Sequence, residues 1–277
     1  MRLGGPTFAR YENPGQWIQA VAAKLYRAAY CPVGPEAPDA AVADYARAAQ
    51  RAGIVIAEAG AWSNPISTDP AVASAARDKC KAMLALAERI GARCCVNIVG
   101  SRGAKWDGPD ERDLTEETFE LIVQVTREII DAVAPRRTFY TLEPMPWMYP
   151  DSADSYERLD RAIDRPAFGV HFDPVNMVCS PQRYFANAEL VRDFVARLGP
   201  KIKSVHLKDI QLQPNLTTHL DEVRPGLGRM CYRTLLTELS KLPADLPVML
   251  EHLPNEQEYD QAAQFVRKVA AELAVEV

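Results

Sequence analysis

The chain has 277 residues, with 32 lysines and arginines against 37 aspartates and glutamates, for a net charge of −5. That length holds one large α/β domain or two smaller ones. The acidic balance and the lack of a long basic run argue against a nucleic-acid or anionic-membrane partner, whose phosphates call for a positive face. No apolar stretch approaches the roughly 20 residues of a spanning helix, and Met1–Pro6 lacks a signal-peptide core. This points to a soluble, cytoplasmic protein with no membrane partner. The six cysteines show no CxxC spacing, which fits a reducing compartment and inert thiols.

In chain order, a short strand near Arg2–Gly5 precedes a helix opened by Asn13 and Pro14, with Trp17, Val21 and Leu25 on one stripe. A second strand, Arg27–Tyr30, leads to a helix from Pro38 to Ala52 that Gly53 ends. Ile54–Glu58 reads as the third strand, followed by a helix from Asp69-Pro70 to Gly91. Arg93–Ile98 is the fourth strand, and Asp113-Leu114-Thr115-Glu116 has the form of a capping box opening the next helix. The fifth strand ends at Glu143, and a helix near Ser152–Ile163 follows. The sixth strand ends at Asp173, and its helix runs to Gly199. The seventh strand is Ile202–Leu207, followed by a long loop over Ile210–Arg229 and a helix through Tyr232, Leu235, Leu236 and Leu239. Val248–Leu250 is the eighth strand, before a last helix through Tyr259, Phe265 and Val269. Eight strand-then-helix units without a linker predict an α/β fold, a single-domain (β/α)8 TIM barrel over residues 1–277. A doubly wound sheet would carry a glycine fingerprint after its first strand, and Gly4-Gly5-Pro6-Thr7 is not one.

Four strands end in ionisable residues: Glu143, Asp173, His206 and Glu251. The carboxyl ends of barrel strands converge on one face, so these four belong to consecutive staves of one wall. Crowded carboxylates raise one another's pKa unless a cation neutralises them. Three carboxylates and an imidazole suit Mn²⁺ best, with Mg²⁺, Co²⁺, Zn²⁺ or Fe²⁺ as alternatives, and leave positions for substrate oxygens. The bland alternative is a hydrogen-bonded structural network at the barrel top. His171 shares the strand face of Asp173 and is expected to touch substrate or to orient Asp173. Lys208 is expected to hold a substrate hydroxyl, carboxylate or phosphate, or to form a salt bridge. Trp62, Trp106 and Trp147, in the loops after strands three to five, are expected to stack on a sugar face, one or more of them serving only to pack the loops. Asn176 and His252 read as structural residues. Ser101–Lys105 is a candidate anion loop.

The stretches Thr141-Leu142-Glu143-Pro144, His171-Phe172-Asp173-Pro174-Val175-Asn176, Val205-His206-Leu207-Lys208-Asp209, Pro225-Gly226-Leu227-Gly228 and Leu250-Glu251-His252 resemble the xylose isomerase-like sugar phosphate isomerase/epimerase superfamily of barrels. Ala59-Gly60-Ala61-Trp62-Ser63-Asn64-Pro65 resembles it in the first half. The resemblance implies that Glu143, Asp173, His206 and Glu251 are metal ligands and that Glu143 and Glu251 are the proton-transfer pair. Where the family often has an acidic residue soon after PGxG, this chain has Arg229-Met230.

The expected activity is a divalent-metal-dependent isomerase or epimerase of a sugar or keto-sugar, moving a proton through a metal-stabilised enediolate. Hydride shift between two metals needs further carboxylates, and Asp209 is the obvious spare one. A metal-dependent lyase or dehydratase, acting on an inosose or cleaving a 3-keto-glycoside, uses the same parts. A three-zinc DNA-repair endonuclease would need more than the four histidines present and a basic groove. A non-catalytic binding barrel is the remaining alternative. The resemblance also implies a homodimer or tetramer, with the helix near Glu258–Leu273 as an interface.

Overall fold

The structure is a computed structural model that describes residues 1–277. Nine parallel strands, β1 (Arg2–Gly4), β2 (Ala28–Ala29), β3 (Val55–Ile56), β4 (Glu58–Gly60), β5 (Cys94–Asn97), β6 (Phe139–Leu142), β7 (Phe168–Phe172), β8 (Ile202–Leu207) and β11 (Pro247–Leu250), lie in the order β3-β2-β1-β11-β8-β7-β6-β5-β4. β3 and β4 are separated by Ala57 alone; β3 pairs with β2, and β4 pairs with β5. They are two pieces of one stave, so nine strands make the eight staves of a single-domain TIM barrel.

Around the ring stand α1 (Pro14–Ala23), α2 (Asp39–Ala52), α3 (Pro70–Ile90), α4 (Glu116–Val133), α5 (Ala153–Ile163), α6 (Pro181–Phe185), α7 (Asn187–Leu198), α8 (Tyr232–Leu239) and α9 (Glu256–Glu272). Local chemistry sets their ends. Asn13 and Asp69 accept amide hydrogen bonds ahead of prolines at the first helical turn, and Gly53 closes α2 at φ +64°. Inside the ring Ala28, Ala57 and Met249, all without solvent exposure, pack together. A Cβ on Gly4 would lie 2.5 Å from the Ala28 carbonyl and 2.6 Å from Met249 Sδ, so this packing admits no side chain there. Glu143, Asp173 and Glu251 directly follow β6, β7 and β11, at the carboxyl end of the ring.

Two expectations need correction. Asp113 does not cap α4: Thr115 does, accepting from the Thr118 amide at 3.3 Å, while buried Asp113 accepts from Ser101 Oγ at 2.8 Å and the Arg102 amide at 2.7 Å. A loop's need for an acceptor prevailed over a local capping pattern. The capping box that does form is Ser152 with Ser155. The segment expected as a long loop contains an antiparallel hairpin, β9 (Asp209–Leu212) and β10 (Leu220–Val223), paired from Asp209↔Val223 to Leu212↔Leu220. Its strands carry too few apolar residues to read as buried strands, because the hairpin stands out from the barrel.

Candidate metal centre

Glu143, Asp173, His206 and Glu251 come from the ends of β6, β7, β8 and β11, which are adjacent staves. The sheet register ends just before Glu143, Asp173 and Glu251 and one residue after His206, and the strand ends have further support. Tyrosine hydroxyls supply it from behind. Tyr156 Oη lies 2.6 Å from both the Leu142 and His171 carbonyls, Tyr232 Oη donates to the Lys208 carbonyl at 2.8 Å, and Tyr30 Oη to the Leu250 carbonyl at 3.1 Å. Each grips a residue within two positions of one of the four.

One donor atom from each of the four lies within 4.8 Å of the other three. His206 Nδ1 is 2.8 Å from Glu251 Oε1, 3.2 Å from Glu143 Oε1 and 3.9 Å from Asp173 Oδ2. Asp173 is divided in function: Oδ1 accepts the Val175 and Asn176 amides at 3.0 and 3.1 Å, and buried Oδ2 accepts no hydrogen bond. Glu251 Oε1 is likewise buried without one. Lys208 Nζ stands beside both, 2.8 Å from Asp173 Oδ2 and 2.5 Å from Glu251 Oε1.

Charge this dense shifts every group. Burial works against a charged imidazole, but Glu251, Glu58 and Glu143 outweigh it and hold the His206 pKa well above its ordinary value. Burial also pushes Glu143 up, and the neighbouring His206 and Lys208 bring it down to about 2. Asp173 is raised to about 6 by burial, with Glu143 and Glu251 adding to it against the pull of Lys208. Despite burial, Glu251 is held well below the usual carboxylate range by His206 and Lys208.

Sequence reasoning missed Glu58. It is 2 % exposed, and its carboxylate lies under the quartet, 3.1 Å from both His206 Nε2 and His171 Nε2. Ser204 Oγ donates to it as well. With Nε2–H given to Glu58, Nδ1 is the nitrogen turned to the other three carboxylates and the one that could serve a metal ion once it gives up its proton, the arrangement that orients imidazoles at metal sites. His171, expected at the substrate, is fully buried one layer down, bonded to Glu58 and with its ring centroid 4.1 Å from that of His206. Asn176, read as loop structure, donates from Nδ2 to Glu143 Oε1 at 3.1 Å and so aims that carboxylate. The set fits a divalent cation: hard oxygen donors, one correctly oriented imidazole, and two buried oxygens without hydrogen bonds pointing into the cluster. Glu58, His171 and His206 also approach one another closely enough to suggest a second ion. Their hydrogen bonds already satisfy that geometry.

The sequence model of the xylose isomerase-like TIM barrel matches residues 19–269. The chain belongs to that family. A search of curated protein sequences finds no match. Among solved structures it is similar to D-psicose 3-epimerase from Clostridium cellulolyticum H10 crystallised with D-tagatose, at 15 % identity and TM-score 0.69, covering 100 % of both chains. It is also similar to 3-keto-D-glucoside 4-epimerase from E. coli, at 14 % identity and TM-score 0.68, over 97 % of this chain and 99 % of the other. Endonuclease IV from Thermus thermophilus matches at 14 % identity and TM-score 0.71, over 98 % of this chain and 100 % of the other. Identities this low show a shared fold.

In this xylose isomerase-like barrel the three tryptophans are placed differently. Trp62 lies against Gly60, where a Cβ would be 2.2 Å from the indole Nε1, and its ring centroid is 6.5 Å from that of His206 with 38 % exposure. Asn97 holds this loop by accepting from the Ser63 amide at 3.0 Å. Trp106 is 39 % exposed on the loop before α4. Trp147 is half-buried and donates to the Asp107 carbonyl at 3.0 Å, tying two loops together. The candidate anion loop is already engaged: Ser101 bonds Asp113, Arg102 Nη1 donates to the Ile66 carbonyl at 2.7 Å, and Lys105 pairs with Asp107 at 3.1 Å.

Alternation along the strand would point His252 away from Glu251. Instead His252 takes φ +57°, which breaks the alternation and turns its imidazole to the mouth. It lies 3.3 Å from Glu222 and 3.8 Å from Glu251. Its bond to Glu222 raises its pKa. Asp209 is no second-metal ligand, because its carboxylate accepts the amides of Ile210, Gly226, Gly228 and Met230 at 2.8 to 3.0 Å.

Proposed function

We propose that the protein is a divalent-metal-dependent isomerase or epimerase of a small sugar or keto-sugar, with Mn²⁺ as the preferred ion, Glu143, Asp173, His206 and Glu251 as its ligands, and Glu143 and Glu251 as the proton-transfer pair. The observation that carries this is the convergence of buried Asp173 Oδ2 and Glu251 Oε1, both without hydrogen bonds, on the Nδ1 of an imidazole whose other nitrogen is taken by Glu58. The bound ion would supply polarisation of the substrate carbonyl and so acidify the neighbouring C–H.

Glu251 and Glu143 then act as base and acid. One carboxylate removes the α-proton, the electrons move to the carbonyl oxygen to give an enediolate, and a proton returns from the opposite side or to the neighbouring carbon. Asn176 holds Glu143 in position through this step. Trp62 offers an apolar face for sugar C–H groups, and Trp106, exposed on the loop before α4, is a second candidate. Proton transfer is favoured over hydride shift because Asp209, the spare carboxylate a second ion would need, is engaged by four backbone amides.

A second reading, a lyase that expels a β-oxygen, is supported by His252. Its imidazole is 60 % exposed beside Glu251, where it can protonate a leaving oxygen. Incubating Mn²⁺-loaded protein with ketoses, aldoses, inososes and 3-keto-glycosides in D2O distinguishes the two. Deuterium at one carbon with mass otherwise conserved is expected; loss of water or of an aglycone would replace the isomerase reading with the lyase.

A further inference from the structure

Lys208 occupies the point on which the free ligand atoms converge. Besides its contacts with Asp173 and Glu251, its Nζ lies 3.6 Å from Glu143 Oε1 and 3.8 Å from Glu222 Oε2, and its side chain is 1 % exposed. An ammonium this deep is ordinarily fixed by directed hydrogen bonds. Here neither Nζ nor the two oxygens nearest to it completes one. The contact is one of charge and proximity, like that of a simple ion.

The rest of the site treats Lys208 as a counter-charge. Four carboxylates, Glu58, Glu143, Asp173 and Glu251, face Lys208 and the imidazoles of His206 and His171 from the cationic side, with His252 3.8 Å from Glu251 at the mouth. A divalent ion held by Asp173 Oδ2 and Glu251 Oε1 would repel an ammonium resting on the same atoms, and the repulsion is strong at low effective dielectric. The backbone of residue 208 cannot yield, since Tyr232 holds its carbonyl. The four-carbon stem can. The next carboxylate outward is Glu222, on the hairpin and 33 % exposed.

We propose that Lys208 is a resident cation of the carboxylate cluster that a divalent ion displaces, and that the released ammonium moves to Glu222 at the barrel mouth, where it receives a hydroxyl, carboxylate or phosphate oxygen of the substrate. Metal loading thereby completes the substrate side of the site. The inference rests on the quartet being the metal centre, and is independent of which reaction follows.

Two measurements test it without any substrate. Reductive methylation of the wild-type protein, followed by peptide mass spectrometry, reads the accessibility of Lys208 with and without saturating Mg²⁺; protection in its absence and modification in its presence are expected. Calorimetric Mn²⁺ titration should show that Lys208→Met binds the ion about tenfold more tightly than wild type because the competing charge is gone, while Lys208→Arg, which keeps the charge, does not. If wild type binds Mn²⁺ and Lys208 stays protected, the exchange is wrong and the metal centre stands. Should neither wild type nor Lys208→Met bind the ion, the metal centre falls with it. If Lys208→Met fails to fold, the methylation result alone decides.

Discussion

Glu58 Oε2 lies 3.1 Å from Nε2 of His206, on the opposite side of the imidazole from the nitrogen that faces Glu143, Asp173 and Glu251. A carboxylate there accepts only, so it keeps the proton on Nε2 and leaves Nδ1 as the nitrogen that can be vacated. Glu58→Gln replaces it with an amide that can present either its oxygen or its NH2. Mn²⁺ affinity measured by calorimetry should fall about 10- to 100-fold. Glu58→Ala goes further, leaving His171, His206 and Ser204 without their buried partner, and urea denaturation should register a loss of about 3–5 kcal/mol. An unchanged metal affinity in Glu58→Gln would remove this residue from the site's function.

The raised pKa of His206 gives metal binding a pH dependence of definite sign. Below that pKa the imidazole of the metal-free protein is protonated, and the proton must leave before Nδ1 can serve as a ligand. Affinity should therefore weaken as the pH falls, by about tenfold per unit where one proton is released. Calorimetry in buffers of different ionisation enthalpy reads the release directly. In the metal-free protein, Glu143 and Glu251 are depressed, so they contribute stability that is present above 4.5 and lost as the pH falls through their folded values. Asp173, raised to about 6, has the opposite sign: its contribution is full below 3.8 and is lost as the pH rises through about 6.

Glu251→Gln should abolish deuterium exchange into any substrate while the protein stays folded, because an amide is a poor ligand and cannot accept the proton. Retained turnover would exclude Glu251 from the proton transfer. In wild type, Mn²⁺ should raise the melting temperature by mass action, equivalent to about 2.7 kcal/mol at a hundred times its dissociation constant. A melting curve indifferent to every divalent ion would oppose the quartet.

Gly228→Ala tests the hairpin anchor. The new Cβ would sit 2.3 Å from Asp209 Oδ1 and 2.4 Å from the Ile210 carbonyl, both backed by rigid structure. A loss of about 1–3 kcal/mol is expected from overpacking. The hairpin carries Glu222 but no member of the quartet, so KM should rise while Mn²⁺ affinity stays within about threefold.

Strand ends were legible because a charged residue closing an apolar run has few explanations, and Glu143, Asp173, His206 and Glu251 each do so. Glu58 has the same form, yet it opens the second of two strand fragments, and only the closed ring shows that it faces His206 from 148 residues away. His171 was placed on the correct face of its strand. Its depth could not be read, because a period of two gives the side and not the layer. Lys208 carried two readings, substrate contact and salt bridge, and the carboxylates that surround it arrive from three other strands and the hairpin. The orientation of His252 was hidden for a local reason: a positive φ at a residue other than glycine leaves no sequence signal.

The buckle at Asp209 separates two kinds of change. Its four amide bonds secure the base of the hairpin to the strand that carries His206, while Gln213–His219 project beyond it, with Leu216 97 % exposed. Replacements or insertions at that tip can alter what the mouth admits without shifting an atom of the cluster beneath. The hairpin thus offers a place to redesign substrate choice while the reaction is left intact, and libraries confined to those seven positions should retain metal affinity throughout.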